Sequence, residues 1–367
     1  MTSAVRRRHS VAVLPGDGIG REVMPPALEV VEAVGARTGF EVAWAELPWS
    51  CDYFHAHGAM MPPDGIDVLA EHDAILLGAV GDPSLPDHVS LWGLLIPIRR
   101  AFEQYVNLRP AVLMPGVSSP LRDTSRGIDV LVVRENSEGE YSEVGGRISR
   151  GTPHEMAVQQ AVFTRRGTER IVQFAVEQAR GRRGLLTSAT KSNGIIHSMT
   201  FWDEVFTEVL ARNPDVQGRL MHVDALAARF VSHPHELDVV VGSNLFGDIL
   251  TDIGAVVVGS MGIAPSANLN PERTHPSMFE PVHGSAPDIA GRGVANPIGQ
   301  IWSAAMMLEH LGESDAAACV LRAVRHVLGE TGVRTADLGG SSTTAEVTAE
   351  VLHAIGADIS VGQGGPR

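Results

Sequence analysis

The chain has 367 residues, 44% of them hydrophobic and 20% charged, with a net charge of -14. That length fits about two domains, and the acidic balance argues against a nucleic-acid partner. No apolar run is long enough to cross a bilayer, the N-terminus lacks a secretory core, and two distant cysteines fit a reducing cytoplasm better than a disulfide framework.

The basic cluster Arg6–Arg8 reads as a solvated tail before the first strand, Val11–Leu14. The loop Gly16-Asp17-Gly18-Ile19-Gly20 follows, then a helix. Its spacing is G-x-G-x-G, one residue short of the dinucleotide fingerprint, and Glu41 opens the next strand instead of closing it. A tight strand-to-helix turn is therefore expected, with any cofactor loop elsewhere. Strands are expected at Ala74–Val80, Ile128–Glu135, Gly184–Thr190, Arg219–Ala225 and Leu237–Asn244, several as continuous apolar runs buried on both faces. Glycine and polar residues over Asn136–Gly151 predict a loop or small β arm. Apolar spacing predicts helices over Pro153–Arg180, Ile298–Leu311 and Ala316–Leu328, and a frayed end over Ser360–Arg367. Alternating strands and helices predict an α/β fold with a mixed, mainly parallel sheet.

Several positions carry chemistry. Asp248 and Asp252 lie four apart on a helix after a strand, which stacks two carboxylates one turn apart. Like charges there invite a hard divalent cation, and Asp224 follows another strand end. The plain alternative is acids favoured by a helix N-terminus. Arg99, Arg109 and Arg134 flank helical and strand ends, where planar forks suit a small dicarboxylate; any one of them alone reads as a surface ion pair. Arg99 and Arg109 are expected on either side of a helical stretch. Lys191 is the sole lysine, and arginine supplies the other basic residues. Lysine can lose its proton where arginine cannot, which points to acid–base work. Tyr141 is one of three tyrosines and sits in the glycine-rich segment. Small residues at His283-Gly284-Ser285-Ala286 leave backbone N–H groups for phosphate, and Asp288 suits ribose hydroxyls, which favours NAD over NADP.

Together "GDGIG", "NLRP", "VRENSEGEY", "TKSN", "SNLFGDILTD" and "EPVHGSAPDIAGRGVANP" resemble the β-decarboxylating dehydrogenases, the isopropylmalate and isocitrate dehydrogenase family, nearly end to end. "SCDYFHAHGAMMP", "LPDHVSLWG" and "PSANLNPER" are most similar to its D-malate and tartrate dehydrogenase branch. The resemblance implies a two-domain isopropylmalate-dehydrogenase-like fold, not a Rossmann fold. A cofactor domain over 1–104 plus 259–367 and a dimerisation, metal and substrate domain over 105–258 are expected, with the arm near 136–151.

It also implies NAD on His283, Gly284, Ser285, Ala286, Asp288, Asn296 and Asn193, and Mg²⁺ or Mn²⁺ on Asp248 and Asp252, completed by Asp224 of a second chain. Arg99, Arg109 and Arg134 are expected to hold substrate carboxylates, with Tyr141, Lys191 and Asp224 catalytic and Lys191 also supplied across the dimer. The implied activity is NAD-dependent oxidative decarboxylation of (R)-malate to pyruvate and CO₂ in a cytoplasmic homodimer. Tartrate and 3-isopropylmalate are the competing substrates, a non-catalytic regulatory homologue is the competing class, and a K⁺ requirement stays open. Arg99 leans toward D-malate. Trp92, in a segment that lines the branched-group pocket of isopropylmalate enzymes, leaves room for a small substituent.

Overall fold

A computed structural model describes Arg7 to Ala357. The predicted frayed end at Ser360–Arg367 lies outside the described residues, as does Arg6. Strands run as β1 (Arg7–Gly16), β2 (Phe40–Glu46), β3 (Ala74–Ala79), β4 (Val106–Val112), β5 (Asp129–Glu135), β6 (Gly145–Ile148), β7 (Met156–Gln159), β8 (Leu185–Thr190), β9 (Gln217–His222), β10 (Val239–Gly242), β11 (Pro265–Leu269) and β12 (Ser277–Pro281).

The chain forms two compact units. The first takes the chain up to Gln104, Leu113–Pro120, and Val258 onward; the second takes Tyr105–Val112 and Leu121–Val257. In the first unit the strand order is β2-β1-β3-β12-β11, parallel except for the β11–β12 pair. In the second it is β4-β5-β10-β8-β9, parallel except for β4–β5. The architecture is thus the expected α/β class with a mixed, mainly parallel sheet. The apolar runs of β3 and β10 are buried along their whole length, as strands covered on both faces must be.

Three local expectations need correction. Arg7 and Arg8 are the first residues of β1, not a tail, and Arg7 pairs with Glu313 at 2.8 Å. Pro153–Arg180 is not one helix. Met156–Gln159 pairs antiparallel with Gly145–Ile148, so the arm extends past Gly151, and the helix is Arg165–Arg180. Thr164 stops it from starting earlier: its hydroxyl accepts from Gly167 N–H as an N-cap. The third concerns arginines: Arg99 lies inside the helix Ile96–Ala101 and Arg109 in mid-β4.

The opening loop is a turn with a job. Gly18 has φ +53, and a Cβ there would lie 2.1 Å from the Ser285 carbonyl oxygen. The adjacent Ile19 N–H donates to that same oxygen at 2.8 Å. Asp17 is buried and accepts from the backbone of Cys51 and Gly81, each at 3.1 Å. Both cysteines are free, and burial, aided by Asp17, pushes the Cys51 thiol up to about 12, so it stays an inert core group.

His310 ends the helix Ile298–His310 with its ring 5.6 Å from that of Phe279. Burial, and then the charge of Arg273, depress it to about 4. An unfolded chain would bind this proton near the ordinary 6.5 while the folded one refuses it. Stability is therefore complete above that value and falls as pH drops toward 4. Urea unfolding of His310→Gln is expected to show a flatter loss over this window than the parent chain. Parallel curves would show that His310 contributes nothing to acid sensitivity.

Candidate active site

The second unit gathers one cluster. The helix Asn244–Val257 follows β10 and carries Asp248 and Asp252 on successive turns. Beside it, β4 and β5 present Arg109 and Arg134. Arg134 Nη1 donates to Asp248 Oδ1 at 2.6 Å, while Nε and Nη2 donate to Asn244 Oδ1 at 3.2 and 2.6 Å. Arg109 Nη1 lies 3.4 Å from Asp248 and 3.8 Å from Asp252, and donates to Thr251 Oγ1 at 2.8 Å. Gly247 makes this approach possible: a Cβ there would fall 2.6 Å from the side-chain carbons of Arg134.

Tyr141 completes the group. Its hydroxyl donates to Asp248 Oδ2 at 3.2 Å, and the Arg134 guanidinium lies 5.7 Å from its ring centre. Burial pushes the phenol upward, the charge of Asp248 adds to this, and Arg134 opposes it. The phenol is thus a protonated donor at neutral pH. Burial also raises Asp252, Arg109 pulls it back, and Asp248 adds to the rise. The Asp252 side chain is 58% exposed, so water screens much of that push.

A separate pair stands at the ends of β8 and β9. These strands run parallel with Thr190 opposite His222, so the residues that follow them emerge side by side. Lys191 Nζ donates to Asp224 Oδ1 at 2.7 Å, and that hydrogen bond holds the Asp224 carboxyl below the ordinary range. Asn193 is exposed in the turn just after Lys191.

Among the described residues, no three acid, histidine or cysteine side chains converge as a metal site. Asp224 therefore does not join Asp248 and Asp252 within one chain. Two stacked carboxylates, with two guanidinium groups drawn onto them, still fit a hard cation in chemistry. Two carboxylates alone leave most of the roughly six oxygen positions of such a cation to other donors.

In the first unit, the loop after β12 is built as a cradle. Ala286 has φ +38, and Ser285 is held through its carbonyl by Ile19. Among the described residues, no protein acceptor takes the backbone N–H of Gly284, Ser285 or Ala286. Asp288 is exposed nearby. His283 Nδ1 contacts the Gly284 carbonyl at 3.0 Å, its buried Nε2 has no partner among the described residues, and burial holds the imidazole neutral. Asn296 Nδ2 donates to Asp337 at 3.1 Å, and its Oδ1 accepts from Ile298 N–H at 3.0 Å, which leaves its second N–H for a ligand.

Arg99 is also in the first unit, paired with buried Glu280 at 2.9 Å; Asn268 donates to the same oxygen at 2.7 Å. Trp92 lies in the π-helical segment Leu91–Leu95, with the Arg100 guanidinium 5.3 Å from its ring centre. Sequence reasoning passed over Glu280, Asn244, Thr251 and Asp337. Glu280 gave one signal: a lone acid in the apolar run "SMFEP".

Residues 10–354 match the isocitrate/isopropylmalate dehydrogenase family model. The chain belongs to this family. A probable tartrate dehydrogenase/decarboxylase of Bacillus subtilis (strain 168) is 55% identical over 347 residues, which cover 94% of this chain and 97% of that protein. The D-malate dehydrogenase [decarboxylating] of Escherichia coli (strain K12) is 51% identical over 354 residues, 94% of this chain and 98% of that one. Among solved structures, isocitrate dehydrogenase from Methylococcus capsulatus matches with TM-score 0.85 and 33% identity, over 95% of this chain and 99% of that one. This family member is an oxidoreductase of the decarboxylating dehydrogenase type. None of its helices is long and apolar enough to cross a membrane, among the described residues.

Proposed function

We propose that the enzyme oxidatively decarboxylates (R)-malate to pyruvate and CO₂ with NAD and Mg²⁺ or Mn²⁺, accepts tartrate as well, and works as a cytoplasmic homodimer. The observation that carries this is the cluster of Arg109, Arg134, Asp248, Asp252 and Tyr141. Its guanidinium groups suit substrate carboxylates, its stacked carboxylates suit a cation, and its protonated phenol suits proton donation. The D-malate and tartrate names borne by relatives support the substrate class.

In this reading Arg109 and Arg134 bind the carboxylates of the substrate and orient it. Bound NAD would take the hydride from C2, and a bound cation on Asp248 and Asp252 would polarise the substrate's hydroxyl and keto oxygens. The Lys191 amine takes the C2 hydroxyl proton, and Asp224 holds that amine in place. The C4 carboxylate leaves as CO₂, its bonding electrons remain at C3, and the Tyr141 hydroxyl delivers a proton there. His283 to Ala286, with Asp288 and Asn296, would seat the dinucleotide. The N–H cradle suits its pyrophosphate, and Asp288 suits an unphosphorylated ribose.

Steady-state rates on (R)-malate, tartrate and 3-isopropylmalate, with and without a chelator, test the proposal. It requires (R)-malate to be turned over with NAD, and turnover to stop when metal is removed. Preference for 3-isopropylmalate, or full activity in chelator, overturns it.

The dimer reading rests on an uncovered apolar stripe. Ile249 and Val256 stand 49% and 51% exposed on the helix of Asp252, and Val231 stands 52% exposed on the helix Val223–Ser232. Apolar side chains at such spacing want a covering surface, and a second copy would bring the missing oxygen donor with it. Val256→Glu is expected to yield monomers in sedimentation equilibrium and to lose turnover. An active monomer would refute the shared site.

A further inference from the structure

Each glutamate from the last residue of β5 to Tyr141 grips donors beyond itself. Glu135 accepts from Ser137 Oγ at 2.6 Å and Glu138 N–H at 2.7 Å, which tightens the turn that leaves the strand. Glu138 accepts from Thr164 N–H at 2.8 Å and Thr164 Oγ1 at 2.6 Å, at the cap of the helix Arg165–Arg180. Glu140, the residue before Tyr141, accepts from Ser243 Oγ at 2.8 Å and from Leu245 N–H at 3.0 Å.

Those last two donors open the helix Asn244–Val257. Leu245 N–H is one of the first-turn donors that no intrahelical carbonyl can satisfy. A carboxylate at that position also meets the positive end of the helix. One turn later on the same helix comes Asp248, the acceptor of the Tyr141 hydroxyl. Two short links thus close a ring: Glu140 to Tyr141 along the chain, and Leu245 to Asp248 along one helical turn.

We propose that Glu140 is a positioning residue, whose carboxylate ties the Tyr141 loop to the first turn of the acid-bearing helix and so fixes the Tyr141 hydroxyl against Asp248. This rests on the proton-donor role proposed above for Tyr141. Removing the bridge leaves the carboxylate-binding arginines in place but frees the phenol. Misplacement of a proton donor by about 1 Å costs on the order of 10²-fold in rate.

The test uses the full-length enzyme with NAD, Mn²⁺ and (R)-malate, and compares Glu140→Gln, Ser243→Ala, the double variant and Tyr141→Phe. Glu140→Gln is expected to lower kcat by about 10²-fold with KM near the parent value. The isotope effect from deuterium at C2 should shrink, because protonation after CO₂ loss becomes limiting. Ser243→Ala should lose less, and the double variant no more than Glu140→Gln alone, since both cut one bridge.

A parental kcat in Glu140→Gln overturns the inference. So does an undiminished isotope effect beside a lowered kcat, which marks general disruption, and so does additivity in the double variant. If Glu140→Gln does not fold, Ser243→Ala decides: a parental kcat there overturns the inference, and a lowered kcat at unchanged KM sustains it. Tyr141→Phe separates the two levels. If it turns over normally, the proton-donor reading fails; if it is slow while Glu140→Gln is normal, only the positioning role fails.

Discussion

Lys191→Met is expected to abolish oxidation of (R)-malate while leaving the fold intact. The Lys191 side chain is 31% exposed just past the end of β8, and its amine donates to Asp224. Methionine keeps the length of the stem and removes the titratable nitrogen, so packing changes little. Loss of a positioned base costs about 10²–10⁴-fold. No other lysine exists in the chain to substitute for it. Single-turnover formation of reduced dinucleotide is the decisive measurement, because it reads hydride transfer without later steps. A near-parental rate would remove Lys191 from the mechanism. The exposed Asp224 partner would then be left as an ordinary surface ion pair, a contact of little energetic weight.

Gly18→Val is expected to damage stability severely. Its backbone is left-handed, a region that a β-branched residue scarcely enters. The added carbon would also collide with the Ser285 carbonyl at 2.1 Å, a backbone atom with nowhere to swing. Both penalties fall on one site, and together about 4 kcal/mol or more is a reasonable scale. The second consequence is local. Ser285 is the residue whose carbonyl is fixed by Ile19, so displacing it disturbs the N–H cradle. Denaturant unfolding and calorimetric titration with NAD should both respond. A variant with unchanged midpoint and unchanged dinucleotide affinity would show that the turn and the cradle are independent.

Much of this molecule was legible in its sequence, for physical reasons. β3 and β10 are buried on both faces, so their residues form unbroken apolar runs that few other structures need. The spacing of Asp248 and Asp252 placed them on one face because helical geometry admits little else. Other features depend on topology. Lys191 and Asp224 meet because β8 and β9 are neighbours in register, and no local pattern states that pairing. Glu280 and Asp337 act through hydrogen bonds to partners distant in the chain, so they look like ordinary acids. The segment before Thr164 misled for another reason. "PHEMAVQQA" is rich in good helix formers, yet it is an exposed arm whose strand is set by pairing with Gly145–Ile148. The arginines Arg7 and Arg8 misled because charge at the first residues of a strand resembles a tail, although both pair with β2.

The helix Asn244–Val257 places Asp252 between Ile249 and Val256 on adjoining turns, so the proposed cation ligand and the sticky stripe share one rod. If the assembled form alone can complete the ion's coordination, added Mn²⁺ must draw free subunits together by mass action. Dilution and chelation would then be two handles on a single equilibrium. Specific activity at low enzyme concentration would climb with ionic manganese, and the midpoint of that climb would move with protein concentration.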